Sequence, residues 1–388
     1  METGIRTTHV GSLPRPPSLL SRMQRHDKGW RADDDKNSPE FAKELAESVK
    51  QIVARQVKLG IDLVSDGELS KPSYATYVSD RLTGFSGEWK GSVAADLKAF
   101  PEFAQHLVET GAVVPRGGGS CCRGPVSPKD NEALSIDLAN MRAAVDASRP
   151  VGAFLNAASP GVVAVFQANE YYPDDDAYIE AVAEALRPEY EAIVDAGFDL
   201  QIDSPDLAMS RHLVYANLDE PAFLRIIERN VAALNHATRN ISSERLRMHI
   251  CWGNYAGSHH LDIPFERIVS RVMVAKPQML LIEGANSRHG HEWAVFEEFS
   301  LPADKILAPG VIDSVSNTVE HPELVAQRLL NYSNVVGRDR VVGGSDCGFS
   351  TFSGFPTVYP DIVWLKLASL VEGAKIASSK LWPRRKAG

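Results

Sequence analysis

The sequence predicts a (β/α)8 TIM barrel, and three observations lead to that fold class. Short apolar runs alternate with amphipathic segments of helical periodicity, at roughly 30–45 residues for each pair. Eight such runs can be counted, which is the number of parallel strands in this barrel. The first run is not followed by a G-x-G-x-x-G motif and the chain has no G-x-x-x-x-G-K motif, so neither a dinucleotide fold nor a phosphate-binding loop is supported. A doubly wound open sheet is the alternative architecture.

The predicted strands, in chain order, are residues 7–12, 61–68, 151–159, 198–204, 246–252, 278–284, 305–313 and 340–348. We interpret residues 1–388 as a single catalytic barrel domain. The interval 84–149 interrupts the repeat with glycine-containing turns and short helical patterns, and we predict that it is an insertion over the barrel mouth. Residues 13–37 are predicted to form another long loop.

The composition excludes several classes of protein. Of the 388 residues, 44% are hydrophobic, which is ample for a globular core. The formal net charge of −9 argues against a nucleic-acid partner. No apolar stretch approaches the ~20 residues that cross a bilayer, and the N-terminus lacks the apolar segment of a signal peptide, so we expect a cytoplasmic protein without a membrane partner. The four cysteines are too few for a disulfide scaffold and indicate reduced thiols or metal ligands.

Four candidate metal ligands each come at the end of an apolar run. His249 and Cys251 form an H-x-C pattern, which directs both side chains to one face of a strand. Glu283 and Cys347 follow at the ends of two later runs. One imidazole, two thiolates and one carboxylate suit tetrahedral Zn²⁺ and suit Mg²⁺ or Ca²⁺ poorly. The alternative is that these side chains are buried core residues with no ligand.

The barrel fold brings scattered polar residues together, because the carboxyl ends of its strands form one face. Rival histidine groups at 259–260 and 289–292 could also bind metal, but we interpret the second as a loop that shapes the substrate pocket. The polar residues that end the predicted strands are His9, Ser12, Asp66, Glu68, Asp203, His249, Cys251, Glu283, Asp313, Asp346 and Cys347.

Several motifs carry a resemblance to a known family. They are TTHVGSLPRP at 7–16, SDGE at 65–68, QIDSP at 201–205, HIC at 249–251, IEG at 282–284, PGVID at 309–313 and DCG at 346–348. In order and spacing they resemble the C-terminal catalytic barrel of cobalamin-independent methionine synthase, one of the uroporphyrinogen decarboxylase-like barrels. The resemblance implies a zinc-dependent methyltransferase in which His249, Cys251, Glu283 and Cys347 bind the metal.

The resemblance also implies a homocysteine site, and it shows where this chain departs from the family. The counterparts of the residues that hold the amino-acid part of homocysteine are Val10, Gly11, Ser12, Glu68 and Asp203. Phe166 falls at the family's folate-stacking tryptophan, and Cys121-Cys122 at an arginine–cysteine pair in the insertion. A folate-contacting glutamate becomes Met209, and the proton-donating histidine becomes Val315. His9 is a candidate replacement for that donor, so the predicted catalytic residues are His9, Glu68 and Asp203.

The predicted reaction is zinc-dependent alkyl transfer, most simply of a methyl group, to a small-molecule thiol. A zinc-bound thiol is deprotonated at neutral pH and can attack an electrophilic carbon. An alternative is epoxide opening by a thiol, as in the related epoxyalkane:coenzyme M transferases. A non-catalytic zinc- or thiol-binding protein is a remote alternative. The donor, a folate or a corrinoid among others, and a homo-oligomeric state are left open.

Overall fold

The structure is a computed structural model that describes residues 4–23, 38–89, 91–110 and 119–383. Within these residues it contains nine strands, two of which, β2 and β3, form a separate antiparallel pair. The strands are β1 Leu63–Val64, β2 Phe85–Trp89, β3 Gly119–Cys122, β4 Gly152–Ala158, β5 Asp199–Asp203, β6 Leu246–His249, β7 Met279–Ile282, β8 Ile306–Ile312 and β9 Gly344–Ser345.

The other seven strands form one parallel sheet in the order β1-β4-β5-β6-β7-β8-β9. The N-terminal segment around Thr7 lies between its two edges. Thr7 pairs in parallel with Gly343, and the backbone N–H of Leu63 donates to the carbonyl of Thr7 at 3.0 Å. This segment therefore takes the place of an eighth strand and closes the sheet. The (β/α)8 barrel predicted from the sequence is confirmed.

The described residues also form fourteen helices, most of which surround the sheet. The helices are α1 Pro17–Met23, α2 Pro39–Leu59, α3 Val78–Arg81, α4 Ala95–Lys98, α5 Pro101–Glu109, α6 Glu132–Ser148, α7 Pro160–Phe166, α8 Asp175–Asp195, α9 Ser210–Leu213, α10 Glu220–Ala237, α11 Phe265–Val272, α12 Val295–Glu298, α13 Pro322–Val336 and α14 Pro360–Leu381. None of them is long and apolar enough to span a membrane.

Local sequence signals set the starts of the long helices. The side chains of Ser38, Asp174 and Asp219 each accept a hydrogen bond from a backbone N–H in the first turn of α2, α8 and α10. The loop predicted over 13–37 is wrong in its first part, because α1 begins at Pro17 and buries Leu19 and Met23 on one face. Residues 24–37 lie outside the described part of the chain.

The predicted insertion at 84–149 contains β2, β3 and three helices, and its residues 90 and 111–118 lie outside the described part. The final helix, α6, packs against α2 and leads directly into β4. The helix α4 reaches the loop after β6, where the Asp96 carboxylate accepts hydrogen bonds from the Tyr255 hydroxyl at 2.8 and 2.9 Å. The exact bounds of the insertion stay a prediction.

Strand register places the polar residues at one end of the barrel. Asp203, the last residue of β5, lies opposite His249, the last residue of β6. Glu283 directly follows β7, and Cys347 follows β9 by two residues. The carboxyl ends of four different strands therefore deliver these side chains to the same face.

Candidate functional site

A cavity of about 790 Å³, part of it open to solvent, lies at the carboxyl ends of the strands. The apolar part of its wall consists of Tyr74, Pro205, Met209, Phe352 and Phe355. The rest of the wall includes polar side chains. Seven residues predicted from the sequence line the cavity, namely Val10, Ser12, Glu68, Asp203, His249, Cys251 and Cys347.

His249, Cys251 and Cys347 form a compact group that we call the sulfur cluster. One potential ligand atom from each residue lies within 4.8 Å of the other two. The sulfur atoms of Cys251 and Cys347 are 3.7 Å apart. Neither ring nitrogen of His249 has a hydrogen-bond partner, although the residue is only 2% exposed. A buried imidazole without a hydrogen-bond partner is costly and needs an explanation, and a role as a metal ligand is one explanation.

The sulfur cluster fits a zinc ion in three respects. Two thiolates on tetrahedral zinc lie roughly 3.8 Å apart, given a Zn–S bond of about 2.3 Å, and the distance here is 3.7 Å. Neither ring nitrogen of His249 has a hydrogen-bond partner, so one of them is available to bind a metal ion. The hydrogen bond with Cys251 lowers the pKa of Cys347 to about 6, although burial of Cys347 acts in the opposite direction. The same hydrogen bond raises the pKa of Cys251. The pair thus carries thiolate character at neutral pH.

Glu283, the fourth predicted ligand, lies beside the sulfur cluster and is held by protein groups. Its Oε1 accepts a hydrogen bond from the backbone N–H of Trp252 at 2.8 Å. Its Oε2 accepts from the Asn286 amide at 2.8 Å and from the Arg288 guanidinium at 2.7 Å. The group of ligand atoms within 4.8 Å of one another does not include it. Its role as a metal ligand therefore stays a prediction.

Asp346 fixes the loop after β7, which contains the residues Asn286 and Arg288 that bind Glu283. Its carboxylate accepts hydrogen bonds from the backbone N–H groups of Gly284, Ala285 and Asn286, each at 2.8 Å. It also accepts from the side chain of Asn286 at 2.8 Å. Because Asp346 directly precedes Cys347, one short segment both supplies a candidate ligand and positions the loop after β7.

Glu68 and Asp203 form a second polar feature of the cavity, which we call the carboxylate pair. Asp203 accepts hydrogen bonds from Asn156 at 3.0 Å and from Gln201 at 3.2 Å. Burial and the charge of Asp203 raise the pKa of Glu68 to about 8. Burial also raises the pKa of Asp203. The pair therefore retains a proton at neutral pH and favours a cationic group close to it.

The backbone of Glu68 has a left-handed conformation, with φ of 55°. This conformation is uncommon for a residue other than glycine, and such strain is found most often at functional sites. The carbonyl of Glu68 and that of Lys71 accept hydrogen bonds from Arg15, at 2.8 and 2.7 Å. These buried contacts keep the Glu68 turn in place and direct its side chain into the cavity.

The segment from Val10 to Ser12 lies beside the carboxylate pair. The Val10 carbonyl accepts a hydrogen bond from Asn156 at 2.9 Å, and the Ser12 hydroxyl accepts one from the Ser350 N–H at 3.3 Å. Gly11, with φ of 150°, does not line the cavity. A Cβ on Gly11 would lie 2.5 Å from the Asn156 amide, so the close approach of these two groups requires glycine.

A further group, the histidine cluster, consists of His212, His259 and Asp262, which also offer ligand atoms within 4.8 Å of one another. His259 Nδ1 lies 3.1 Å from Asp262, and its Nε2 lies 3.0 Å from the Tyr255 carbonyl. Burial of Asp262 acts to raise its pKa, but hydrogen bonds from His259 and His289 hold this pKa below its usual range. The polar groups of His259 and Asp262 are thus paired within the protein.

Comparison with known proteins identifies the family. A sequence profile described as "Cobalamin-independent synthase, Catalytic domain" matches residues 120–362. The chain belongs to this family. The resemblance inferred from the motifs is therefore confirmed.

Two curated relatives match nearly the whole chain. A methionine synthase of Saccharolobus islandicus (strain Y.N.15.51 / Yellowstone #2) is 24% identical over 381 residues, which are 97% of this chain and 95% of the relative. A 5-methyltetrahydropteroyltriglutamate–homocysteine methyltransferase of Yersinia enterocolitica is 24% identical over 377 residues, which are 94% of this chain but 42% of the relative. The chain thus spans nearly all of the Saccharolobus relative and less than half of the Yersinia relative.

Solved structures of family members share the fold. A B12-independent methionine synthase from Shewanella sp. W3-18-1, in complex with selenomethionine, has a TM-score of 0.73 at 19% identity and covers 96% of this chain and 97% of its own. A putative vitamin-B12 independent methionine synthase from Listeria monocytogenes has a TM-score of 0.67 at 17% identity and covers 97% of this chain and 98% of its own. At these identities the likeness shows the barrel fold alone.

His9, the predicted replacement proton donor, does not line the cavity. Its Nε2 lies 2.7 Å from the side-chain oxygen of Gln56. Burial lowers the pKa of His9 to about 4, with a smaller opposing effect of Gln56. A histidine with this pKa is neutral at physiological pH and is not poised to donate a proton. The structure does not favour the predicted catalytic role of His9.

Three residues predicted to bind substrate also lie outside the cavity lining. Phe166 is buried, and its ring contacts that of Tyr74 edge to face, with centroids 5.7 Å apart. Cys121 and Cys122 lie in β3, which pairs with β2. Tyr74 lines the cavity, and the sequence did not predict it because strand periodicity carries no information about loops. Arg288 and Asn286 were missed for the same reason.

Proposed function

We propose that this protein transfers a methyl group to the thiol of homocysteine or a similar amino-acid thiol, with zinc held by the sulfur cluster. One observation carries the proposal. The sulfur cluster and the carboxylate pair line the same cavity, so a molecule with a thiol at one end and an ammonium group at the other can contact both. Membership of the family and the names of the curated relatives support the same reaction.

In this proposal His249, Cys251 and Cys347 would hold a zinc ion, which would lower the pKa of the substrate thiol and so make the thiolate available at neutral pH. The carboxylate pair binds the substrate ammonium group, and Ser12 with the segment from Val10 orients its carboxylate end. Burial of Glu68 and Asp203 excludes water from the ion pair, which strengthens it. The protein thus fixes the direction from which the sulfur attacks.

The apolar wall of Tyr74, Met209, Phe352 and Phe355 is the proposed contact of the methyl donor. A thioether and three aromatic side chains offer dispersion contacts and few hydrogen bonds. Met209 cannot replace the hydrogen bonds of the family's folate-contacting glutamate. The proposal therefore covers methyl donors other than methyltetrahydrofolate, a methylated corrinoid among them.

The test is a matrix of turnover assays with the zinc-loaded full chain and mass spectrometry of the sulfur product. Homocysteine, coenzyme M and glutathione are each combined with methyltetrahydrofolate, methylcobalamin and a small epoxide. We expect methionine from homocysteine with a methyl donor, with methyltetrahydrofolate weak or inactive. Product from coenzyme M and the epoxide alone would overturn the proposal in favour of epoxide opening. The absence of any product with all three thiols would favour a binding role.

A further inference from the structure

Arg288 connects Glu283 to the histidine cluster. Its Nη2 lies 2.7 Å from the Glu283 carboxylate, and its Nη1 lies 3.2 Å from the Asp262 carboxylate. The side chain is 18% exposed, whereas that of Glu283 is 2% exposed and that of Asp262 is 8% exposed. Arg288 is therefore a largely buried cation between two buried carboxylates, and its position is set by both.

The far end of this connection is itself anchored. Asp262 contacts His259 at 3.1 Å and His289 at 3.3 Å. His289 also contacts Glu292 at 2.8 Å and packs on the ring of Trp252, with centroids 4.3 Å apart. Because Asp262 is held on several sides, it cannot follow Arg288 toward the cavity. The guanidinium thus holds Glu283 from a fixed point.

Glu283 lies where it could reach a metal ion in the sulfur cluster. Its Oε1 contacts the backbone N–H of Trp252, the residue directly after Cys251. Yet both carboxylate oxygens already accept hydrogen bonds from protein groups. The sulfur cluster supplies three ligand atoms, and tetrahedral zinc has four positions. The fourth position is contested between Glu283 and a substrate thiol.

We propose that Arg288 is a positioning residue that draws Glu283 away from zinc held by the sulfur cluster and so keeps the fourth position open to the substrate thiol. This inference rests on the proposed function. A charge-assisted hydrogen bond between a guanidinium and a carboxylate is among the stronger contacts in proteins. Without it, Glu283 would be a buried carboxylate that has lost its charged partner, and it would be free to bind a zinc ion held by the sulfur cluster.

The test compares the zinc-loaded wild type with Arg288→Gln by X-ray absorption and by homocysteine titration. We expect the variant to keep its zinc, to gain one oxygen ligand in the zinc shell and to bind homocysteine roughly tenfold more weakly. The double variant Arg288→Gln/Glu283→Gln should lose the extra oxygen and recover the affinity, because a neutral amide competes poorly for zinc. Arg267→Gln is the matched control, since Arg267 pairs with Glu220 on the outer surface.

Asn286→Ala is a second variant, which removes another hydrogen bond to the same Glu283 oxygen. It should shift the zinc shell and the thiol affinity in the same direction by about twofold to threefold. An unchanged zinc shell and an unchanged thiol affinity in both Arg288→Gln and Asn286→Ala would overturn the role of Arg288. A wild type that takes up no zinc would overturn the proposed function and this inference together, so the two failures are distinguishable.

Discussion

The sulfur cluster and the histidine cluster both bring three metal-ligating residues within 4.8 Å, but the ring nitrogens of His249 and His259 differ in their hydrogen bonds. Both ring nitrogens of His249 are unpaired. Both ring nitrogens of His259 have acceptors, at 3.1 and 3.0 Å. Proximity of ligand atoms is therefore a weak criterion for a metal site, and the hydrogen-bond state of those atoms separates the two clusters.

The charge balance of the two clusters differs in the same way. The sulfur cluster contains two thiols, and the pKa of one of them, Cys347, lies at about 6. The histidine cluster contains the carboxylate of Asp262, and Arg288 and His289 lie against it. Hydrogen bonds to Asp262 and Glu292 outweigh burial and raise the pKa of His289 to about 10, so this residue is a cation at neutral pH. A second cation would be repelled there.

The largest expected effect is the loss of zinc from the sulfur cluster. Cys251→Ser and Cys347→Ser should each weaken zinc binding by at least about a hundredfold, because a hydroxyl is a poor zinc ligand at neutral pH. Competition with a chromogenic chelator measures the affinity. Cys121→Ser is the matched control, since Cys121 is also buried but lies in β3 and does not line the cavity. Equal zinc affinity in all three variants would show that the metal lies elsewhere.

The next effect concerns the carboxylate pair. Asp203→Asn should weaken homocysteine binding roughly 10–100-fold, because the substrate ammonium group loses a charged, desolvated partner. Zinc content should stay unchanged. Calorimetry with homocysteine and with a thiol that lacks the amino group separates the contribution of the ammonium group to the binding affinity from that of the thiol. The result that contradicts the assignment is an equal loss of affinity for both thiols.

A smaller effect is expected in the histidine cluster. His259→Asn should lower the free energy of unfolding by about 1–3 kcal/mol, because Asp262 and the Tyr255 carbonyl lose a hydrogen-bond partner. Asparagine is the suitable replacement, since His259 has a left-handed backbone with φ of 53°. Urea unfolding measures the change. Loss of zinc with unchanged stability would reverse the roles that we assign to the two clusters.

The smallest effect is a pH dependence of stability. The pKa of Glu68 rises from its ordinary value of 4.5 to about 8 in the folded protein. Folding therefore takes up a proton between these pH values, and the contribution of Glu68 to stability falls as pH rises from 4.5 through 8. Glu68→Gln removes this loss of stability. The difference in melting temperature between the variant and the wild type should therefore be roughly 2–4 °C larger at pH 8.5 than at pH 5, in favour of the variant. Parallel curves would contradict the raised pKa.

Much of the fold could be predicted from the sequence because its signals are local and repeated. Alternation of apolar runs with amphipathic segments identified all eight strand positions, and the rule that parallel strands end on one face indicated where the chemistry lies. The helix α1 was missed because only two buried side chains, Leu19 and Met23, mark its inner face. The closure of the sheet by Thr7 depends on residues more than three hundred positions away, which no local pattern reveals.

The candidate site was predictable where residues end strands and poorly predictable where they lie in loops. His249, Cys251, Cys347, Glu68 and Asp203 line the cavity as expected. The environment of His9 could not be read from the sequence, since its burial against Gln56 depends on how α2 packs. Arg288 and Tyr74 lie in loops, whose side-chain directions follow from tertiary contacts.

X-ray absorption at the zinc edge of the wild-type protein, together with its metal content, tests the central claim most directly. We predict about one zinc ion per chain with two sulfur ligands at about 2.3 Å and at least one nitrogen ligand at about 2.1 Å. This shell would identify the sulfur cluster as the metal centre. A zinc ion coordinated by nitrogen and oxygen alone would place it in the histidine cluster and contradict the account.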